Sequence, residues 1–242
     1  MPDSRPAEIL LRVKDLHAWY GESHILHGME LEVREGEVVT LLGRNGAGKT
    51  TTLKSIMGIV TQRSGSVRFE GQELIDRASN HIARAGIAFC PEERGVFASL
   101  GVEENLLLPP VVKAGGLSLD QIFELFPNLK ERLGSSQGTK LSGGEQQMLA
   151  IGRILRTGAR MLLLDEPTAG MTHADVERIT ALIKRVSANR TVLMVEHNLS
   201  VVSSLSDTIT VLQRGEVLAE GDYGTVSKDS RVVEAYLGSG HG

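Results

Sequence analysis

Eight consecutive residues, Gly43-Arg44-Asn45-Gly46-Ala47-Gly48-Lys49-Thr50, could cradle a chain of phosphates. They fit G-x-x-x-x-G-K-[ST], the P-loop pattern. Gly43, Gly46 and Gly48 let the backbone turn its N–H groups toward an anion, and the amides of Arg44, Asn45 and Ala47 lie between them. A helix opening just after the loop adds its positive N-terminal end. Lys49 would reach the β- and γ-phosphates, the Thr50 hydroxyl would take Mg²⁺, and Thr51 completes the set. The plain alternative is a glycine-rich turn followed by an ordinary lysine. The flanks favour the phosphate loop: residues 38–42 read as a buried strand leading in, and residues 51–57 as a helix leading out.

A second group stands at Met161-Leu162-Leu163-Leu164-Asp165-Glu166-Pro167. A continuous apolar run suits a central parallel strand covered on both faces. Acidic residues at its end would sit at the carboxyl edge of the sheet, where α/β folds bind ligands. Beside a phosphate loop, Asp165 would hold Mg²⁺ and Glu166 would polarise an attacking water as general base. Taken alone, the same residues describe a strand ending in a solvated acidic turn. A third group, Leu141-Ser142-Gly143-Gly144-Glu145-Gln146-Gln147, reads as a helix start. Ser142 is a good N-cap and Glu145, three residues on, completes a capping box. The two glycines leave amides accessible to an anion.

The elements that must position these groups follow from the pattern. Strands are expected over residues 11–20, 28–39, 65–71 and 86–91, with turn signals at Gly21-Glu22 and Glu35-Gly36. A short helix fits 80–85. Between about 99 and 140 the spacing turns helical, over 102–107 and 119–133, and the segment ends in a loop at 134–139. Helices over 143–156, 173–187, 199–205 and 226–237 alternate with strands over 161–165 and 191–196, and a hairpin turns near 213–216. The expectation is an α/β fold, a single domain over residues 1–242, with a largely parallel sheet and a helical insertion.

Composition narrows the classes. A net charge of −4 and a pI near 6.0 argue against nucleic acid as the main partner. The one cysteine, Cys90, allows no internal disulfide and suits the cytosol. The first residues are polar and lack the apolar core of a signal peptide. No apolar run approaches the roughly 18 residues needed to span a bilayer. A membrane role would therefore come from a partner.

The P-loop, LSGGEQQ and LLLDEP, in that order and over nearly the whole chain, resemble the ATP-binding cassette (ABC) ATPases. The resemblance implies a P-loop core with an antiparallel β subdomain and a helical subdomain. It also implies a head-to-tail dimer with two ATP molecules buried between the subunits. Ser142, Gly143, Gly144 and Glu145 would then face the γ-phosphate of ATP held by the partner. Tyr20 matches the aromatic that stacks on adenine, with Trp19 the neighbouring candidate and core packing the structural alternative. His197 matches the switch histidine that contacts the γ-phosphate and orders the attacking water. Two positions depart from the family pattern. Glu92 stands where a glutamine usually serves as Mg²⁺ and water ligand. Ala169-Gly170-Met171-Thr172 lacks the aspartate usual in that loop, and Thr172 with Asp175 fits a helix cap.

Finer features are similar to the ATP-binding subunits of bacterial branched-chain amino-acid importers and their urea and amide relatives. They include Trp19-Tyr20-Gly21, Pro91-Glu92-Glu93-Arg94-Gly95-Val96-Phe97 and the 125–132 segment. The resemblance implies ATP and Mg²⁺ as ligands, and a second ATPase subunit that is either another copy or a sister chain. It also implies two integral-membrane permease subunits, a periplasmic binding protein acting indirectly, and a place at the cytoplasmic face of the inner membrane. The helical insertion would touch the membrane partners. An exporter ATPase of the lipopolysaccharide type shares the single-cassette layout. A non-transport ABC ATPase of translation or DNA repair usually carries two cassettes or a coiled coil, and this chain has neither.

Overall fold

The computed structural model describes residues 8–133 and 141–237, so the loop expected at 134–139 lies outside the described residues. The chain opens with β1 (Ile9–Tyr20), β2 (Ser23–Arg34), β3 (Val38–Leu42), α1 (Lys49–Ile56), β4 (Arg63–Phe69), β5 (Gln72–Glu73), α2 (Ser79–Ala85) and β6 (Ile87–Cys90). Three short helices follow: α3 (Val102–Leu107), α4 (Leu119–Leu125) and α5 (Pro127–Glu131). Then α6 (Gly143–Arg156), β7 (Met161–Asp165), α7 (His173–Ser187), β8 (Thr191–Val195), α8 (Leu199–Leu205) and β9 (Thr208–Gln213) alternate. Last come β10 (Glu216–Gly221), α9 (Tyr223–Val226) and α10 (Ser230–Leu237).

Two sheets organise these elements. An antiparallel sheet runs β2-β1-β4-β5, and a six-stranded sheet runs β10-β9-β3-β8-β7-β6. In the second sheet β9, β3, β8, β7 and β6 are parallel, and β10 pairs antiparallel with β9. The apolar strands show why. Along β7, Met161 and Leu163 enter the core shared with the antiparallel sheet and α1, whereas Leu162 and Leu164 enter the core under α6 and α7. On β8, Leu193 and Val195 alternate in the same way with Val192 and Met194. Side chains alternate faces with period two, so a strand covered on both sides must be apolar throughout.

The expected α/β class with a largely parallel sheet is what the molecule has. Three of the boundary differences have a clear physical cause. The helix expected over 119–133 is two helices, because Pro127 cannot continue α4 but fits the first turn of α5. The helix expected over 226–237 begins later, as α10 over 230–237, and a separate short helix, α9, capped by Asp222, ends at Val226. The strand expected to open at Gly28 begins at Ser23, because Gly28 at φ 81 sits inside an irregular pairing rather than at its end.

Cys90, the last residue of β6, is fully packed away. Burial pushes its thiol up to about 12, and Gln147 Nε2 lies 3.6 Å from Sγ as a donor.

Candidate nucleotide site

The parallel strands all end at one edge, and the P-loop, Glu92, Asp165, Glu166 and His197 stand at those ends, whereas Tyr20 and the 142–145 motif do not. The P-loop leaves β3, Glu92 follows β6, Asp165 and Glu166 close β7, and His197 follows β8. Residues 45–51 of the loop, Glu92 and Glu166 line one cavity of about 360 Å³.

The loop is built for close backbone approach. Gly43 has φ 154, and a Cβ there would meet the Leu212 carbonyl oxygen at 2.5 Å. Gly48 has φ 104, and its Cβ would meet the Leu26 side chain at 2.7 Å. Only glycine fits both the conformation and the space. The turn between β9 and β10 fastens the loop from behind, where Gly215 N donates to Ala47 O at 3.0 Å. Arg44, Asn45 and Gly46 remain exposed. Lys49 opens α1 and is buried, its Nζ donating to Gly43 O at 2.9 Å and Arg44 O at 3.3 Å. Burial lowers its pKa, and Glu166 and Asp165 oppose that shift.

Across the cavity Thr50 Oγ1 donates to Asp165 Oδ1 at 3.0 Å. Asp165 is 1% exposed. Burial pushes its carboxyl up to about 6; the Thr50 bond opposes this, and the charge of Glu166 adds to it. Glu166 is held in the left-handed region at φ 48, with its N–H donating to Val195 O at 3.0 Å. That backbone places the carboxylate over the loop rather than along the strand. His197 is exposed, and its Nδ1 lies 3.4 Å from Glu166 Oε2.

One organising residue was not singled out in the sequence. Glu196 is fully buried. Its Oε1 accepts from Thr168 N at 3.1 Å and Thr168 Oγ1 at 2.5 Å. Its Oε2 accepts from His197 N at 3.0 Å and Asn198 N at 3.1 Å. The carboxylate thus ties the turn after Glu166 to the turn that carries His197. The signal was present as an acidic residue ending an otherwise apolar strand. Such a group is buried only when it is hydrogen-bonded.

The third motif is not part of this cavity. Ser142 caps α6, accepting from Glu145 N at 3.2 Å, and its own N–H donates to Glu145 Oε2 at 2.7 Å. Arg132 Nε adds a 3.0 Å bond to Glu145 Oε1, so this carboxylate is fully engaged within the chain. Ser142 itself is exposed. Gly143 packs beside the Arg94 guanidinium, which also donates to Ala169 O at 3.3 Å. A Cβ on Gly144 would meet Asp175 Cγ at 2.6 Å. Thr172 caps α7 through Asp175, as its spacing suggests. Tyr20, at the end of β1, is 49% exposed, whereas the Trp19 ring stacks on His24 at 4.4 Å. Of the two aromatics, Tyr20 is the one left open to a ligand.

A loop of amides, a buried lysine, a hydroxyl–carboxylate pair and a glutamate at one sheet edge define a nucleotide-hydrolysing P-loop protein. Comparison with known proteins places it more closely. Residues 26–169 match the ABC transporter family, and residues 216–242 match the family described as branched-chain amino acid ATP-binding cassette transporter. The chain is 40% identical to the high-affinity branched-chain amino acid transport ATP-binding protein BraG of Pseudomonas aeruginosa, over 95% of this chain and 100% of that protein. A nucleotide-free ATP-binding cassette from an ABC transporter superposes with a TM-score of 0.82 at 27% identity, covering 95% of this chain and 99% of the other. The dimeric post-hydrolysis state of the cassette MJ0796, bound to ADP and Pi, gives 0.77 at 26% identity over 88% and 98%. The chain belongs to the ABC transporter family, as its ATP-hydrolysing ATP-binding subunit. Among the described residues, no helix is long and apolar enough to cross a membrane.

Proposed function

We propose that this subunit energises the import of branched-chain amino acids, working on the cytoplasmic face of the membrane beneath two permease subunits. A periplasmic binding protein would deliver the solute. The name of the 40% identical relative and the match of residues 216–242 support the solute class. The observation that carries the enzymatic part is the convergence of the P-loop, Asp165, Glu166 and His197 on one edge of the parallel sheet.

The residues divide the work as follows. The amides of residues 43–48 and the Lys49 ammonium take the β- and γ-phosphates of ATP, and Tyr20 stacks on the adenine. Thr50, Asp165 and Glu92 offer only oxygen donors, and Asp165 is a buried carboxylate that, among the described residues, accepts from a neutral hydroxyl. That set fits a hard divalent cation such as Mg²⁺. Held by Thr50, Asp165 and Glu92, Mg²⁺ would supply positive charge against the negative charge that develops during phosphoryl transfer. Glu166 accepts a proton from the water that attacks the γ-phosphorus, and ADP departs as leaving group. His197, 3.4 Å from Glu166, orients that water.

The site holds no γ-phosphate lid of its own, because Ser142-Gly143-Gly144 lies outside its cavity. A second subunit, a copy or a sister chain, would present that helix start across a head-to-tail dimer. The dimeric cassette of similar fold supports this arrangement. For the permease we assign an apolar groove of about 500 Å³ between α2, α6 and the loops after β6 and α3. Exposed Ile59, Phe97, Leu107, Leu108 and Val111 belong to segments bordering it.

Glu166→Gln tests the mechanism. ATP binding should persist while phosphate release falls at least about 100-fold, the scale of losing a general base. Near-normal phosphate release would remove Glu166 from its role.

A further inference from the structure

The hairpin of β1 and β2 carries an Asp–His–His line that the nucleotide chemistry does not use. Both strands deform to build it. Asp15 adopts φ 49, a left-handed conformation unusual for a side-chain-bearing residue, and the β1 pairing shifts register between Val13 and His17. On β2 the register skips Ile25, so that His24 faces Trp19 while Leu26 faces Ala18. Such bulges re-aim side chains, and backbone strain of this kind marks places where position matters more than local stability. Gly28 leaves the room: a Cβ there would stand 3.1 Å from Asp15 Oδ1.

The hydrogen bonds fix the tautomers. His17 Nε2 lies 3.1 Å from Asp15 Oδ1 and donates its proton there. The lone pair of His17 is then on Nδ1. That nitrogen faces His24 Nε2 at 3.1 Å. The His24 ring also hydrogen-bonds the backbone at Leu26. With Nε2 turned toward His17, the nitrogen left for that bond is Nδ1. With both rings neutral, two lone pairs then border one gap between β1 and β2. At 3.1 Å apart, the two nitrogens fit one ion bound at about 2.0–2.1 Å by each, set off the line between them at an N–ion–N angle of roughly 100°. A histidine ligand backed by a carboxylate on its other nitrogen is the usual second-shell support of a metal site.

We propose that His17 Nδ1 and His24 Nε2 bind one divalent transition-metal ion of the zinc, nickel or copper type. Imidazole donors select these ions over Mg²⁺. Among the described residues no three His, Cys, Asp or Glu side chains close around one point. The protein therefore supplies two donors and water fills the remaining positions. His27, with its ring 4.0 Å from that of His24, is the neighbouring imidazole. Neutral imidazoles bind the ion with no net proton transfer. The bound ion would pin β1 to β2 immediately before Tyr20.

The assay is built in. Trp19 is the only tryptophan of the chain, and its ring stacks on His24 at 4.4 Å. Titrating Ni²⁺ into the full-length protein at pH 7.5 should quench its fluorescence along a saturable 1:1 curve. Excess Zn²⁺ should restore the signal, and millimolar Mg²⁺ should leave it unchanged. His17→Gln and His24→Gln should each abolish saturation, and Asp15→Asn should weaken binding roughly 10–100-fold. Circular dichroism of each variant checks the fold. Linear, non-saturating quenching of the parent protein would overturn the proposal, as would saturation that survives in both folded histidine variants.

Discussion

Glu196→Gln removes half the anchorage between the turn after Glu166 and the turn that carries His197, without changing side-chain size. The carboxylate accepts four bonds, two at each oxygen. The amide keeps one accepting oxygen and sets an NH₂ group against the other pair of donors. Each hydrogen bond to a charged acceptor contributes about 1.5–3 kcal/mol. Losing two, with partial relaxation, costs about 3 kcal/mol. At 1.4 kcal/mol per decade this is about a 100-fold change in the unfolding equilibrium. In a domain of this size it lowers Tm by roughly 6–12 °C. Denaturant unfolding at pH 7.5 measures the loss, and Thr168→Val provides a control. That variant loses only the hydroxyl donor and should cost about 1 kcal/mol in the parent protein. In the Glu196→Gln background its cost should differ by at least 0.5 kcal/mol, roughly the onset of coupling between contacting residues. kcat should fall with stability, because His197 hangs from the same carboxylate through its N–H. A Glu196→Gln variant within about 1 kcal/mol of the parent protein and with normal kcat would refute the reasoning.

Other outcomes follow from the same geometry. The Asp165 carboxyl titrates near 6 in the folded chain and near 3.9 when unfolded, so the native state binds the extra proton between those values. Metal-free stability should therefore fall as pH rises from about 4 to about 6, and Asp165→Asn should flatten that slope and raise the metal-free Tm at pH 7.5. Gly144→Ala drives a methyl into Asp175, at a cost of about 1–3 kcal/mol. Asp175→Ala should recover most of this loss in the double variant, measured by denaturant midpoint. If, as proposed, each site borrows its lid from another subunit, specific ATPase activity should rise with protein concentration. Activity per mole that stays constant from dilute to concentrated protein would exclude the shared site.

The sequence revealed what local pattern controls. The P-loop needs its glycines where φ is positive and neighbouring backbone is close, and both demands are written in consecutive residues. The run 161–165 announced a doubly covered strand because both of its faces meet apolar cores. Long-range contacts were less legible. Nothing near Gly144 announces Asp175, which arrives from another helix start, and nothing near Glu196 announces Thr168, 28 residues earlier. Pro127 was visible, but a proline in the first turn of a helix and a proline ending one look alike until the chain direction on each side is known. The choice between Trp19 and Tyr20 rested on which ring the hairpin had already occupied, and that depends on His24 across the strand pair.

The deep burial of Cys90 also suits the protein to spectroscopic study. A thiol pushed up to about 12 holds almost no thiolate at neutral pH, and the thiolate is the form that attacks alkylating reagents. A cysteine introduced on the surface, for example at exposed Ala174, would be the only reactive one. Dyes or spin labels could then follow the approach of two subunits with the native cysteine left in place.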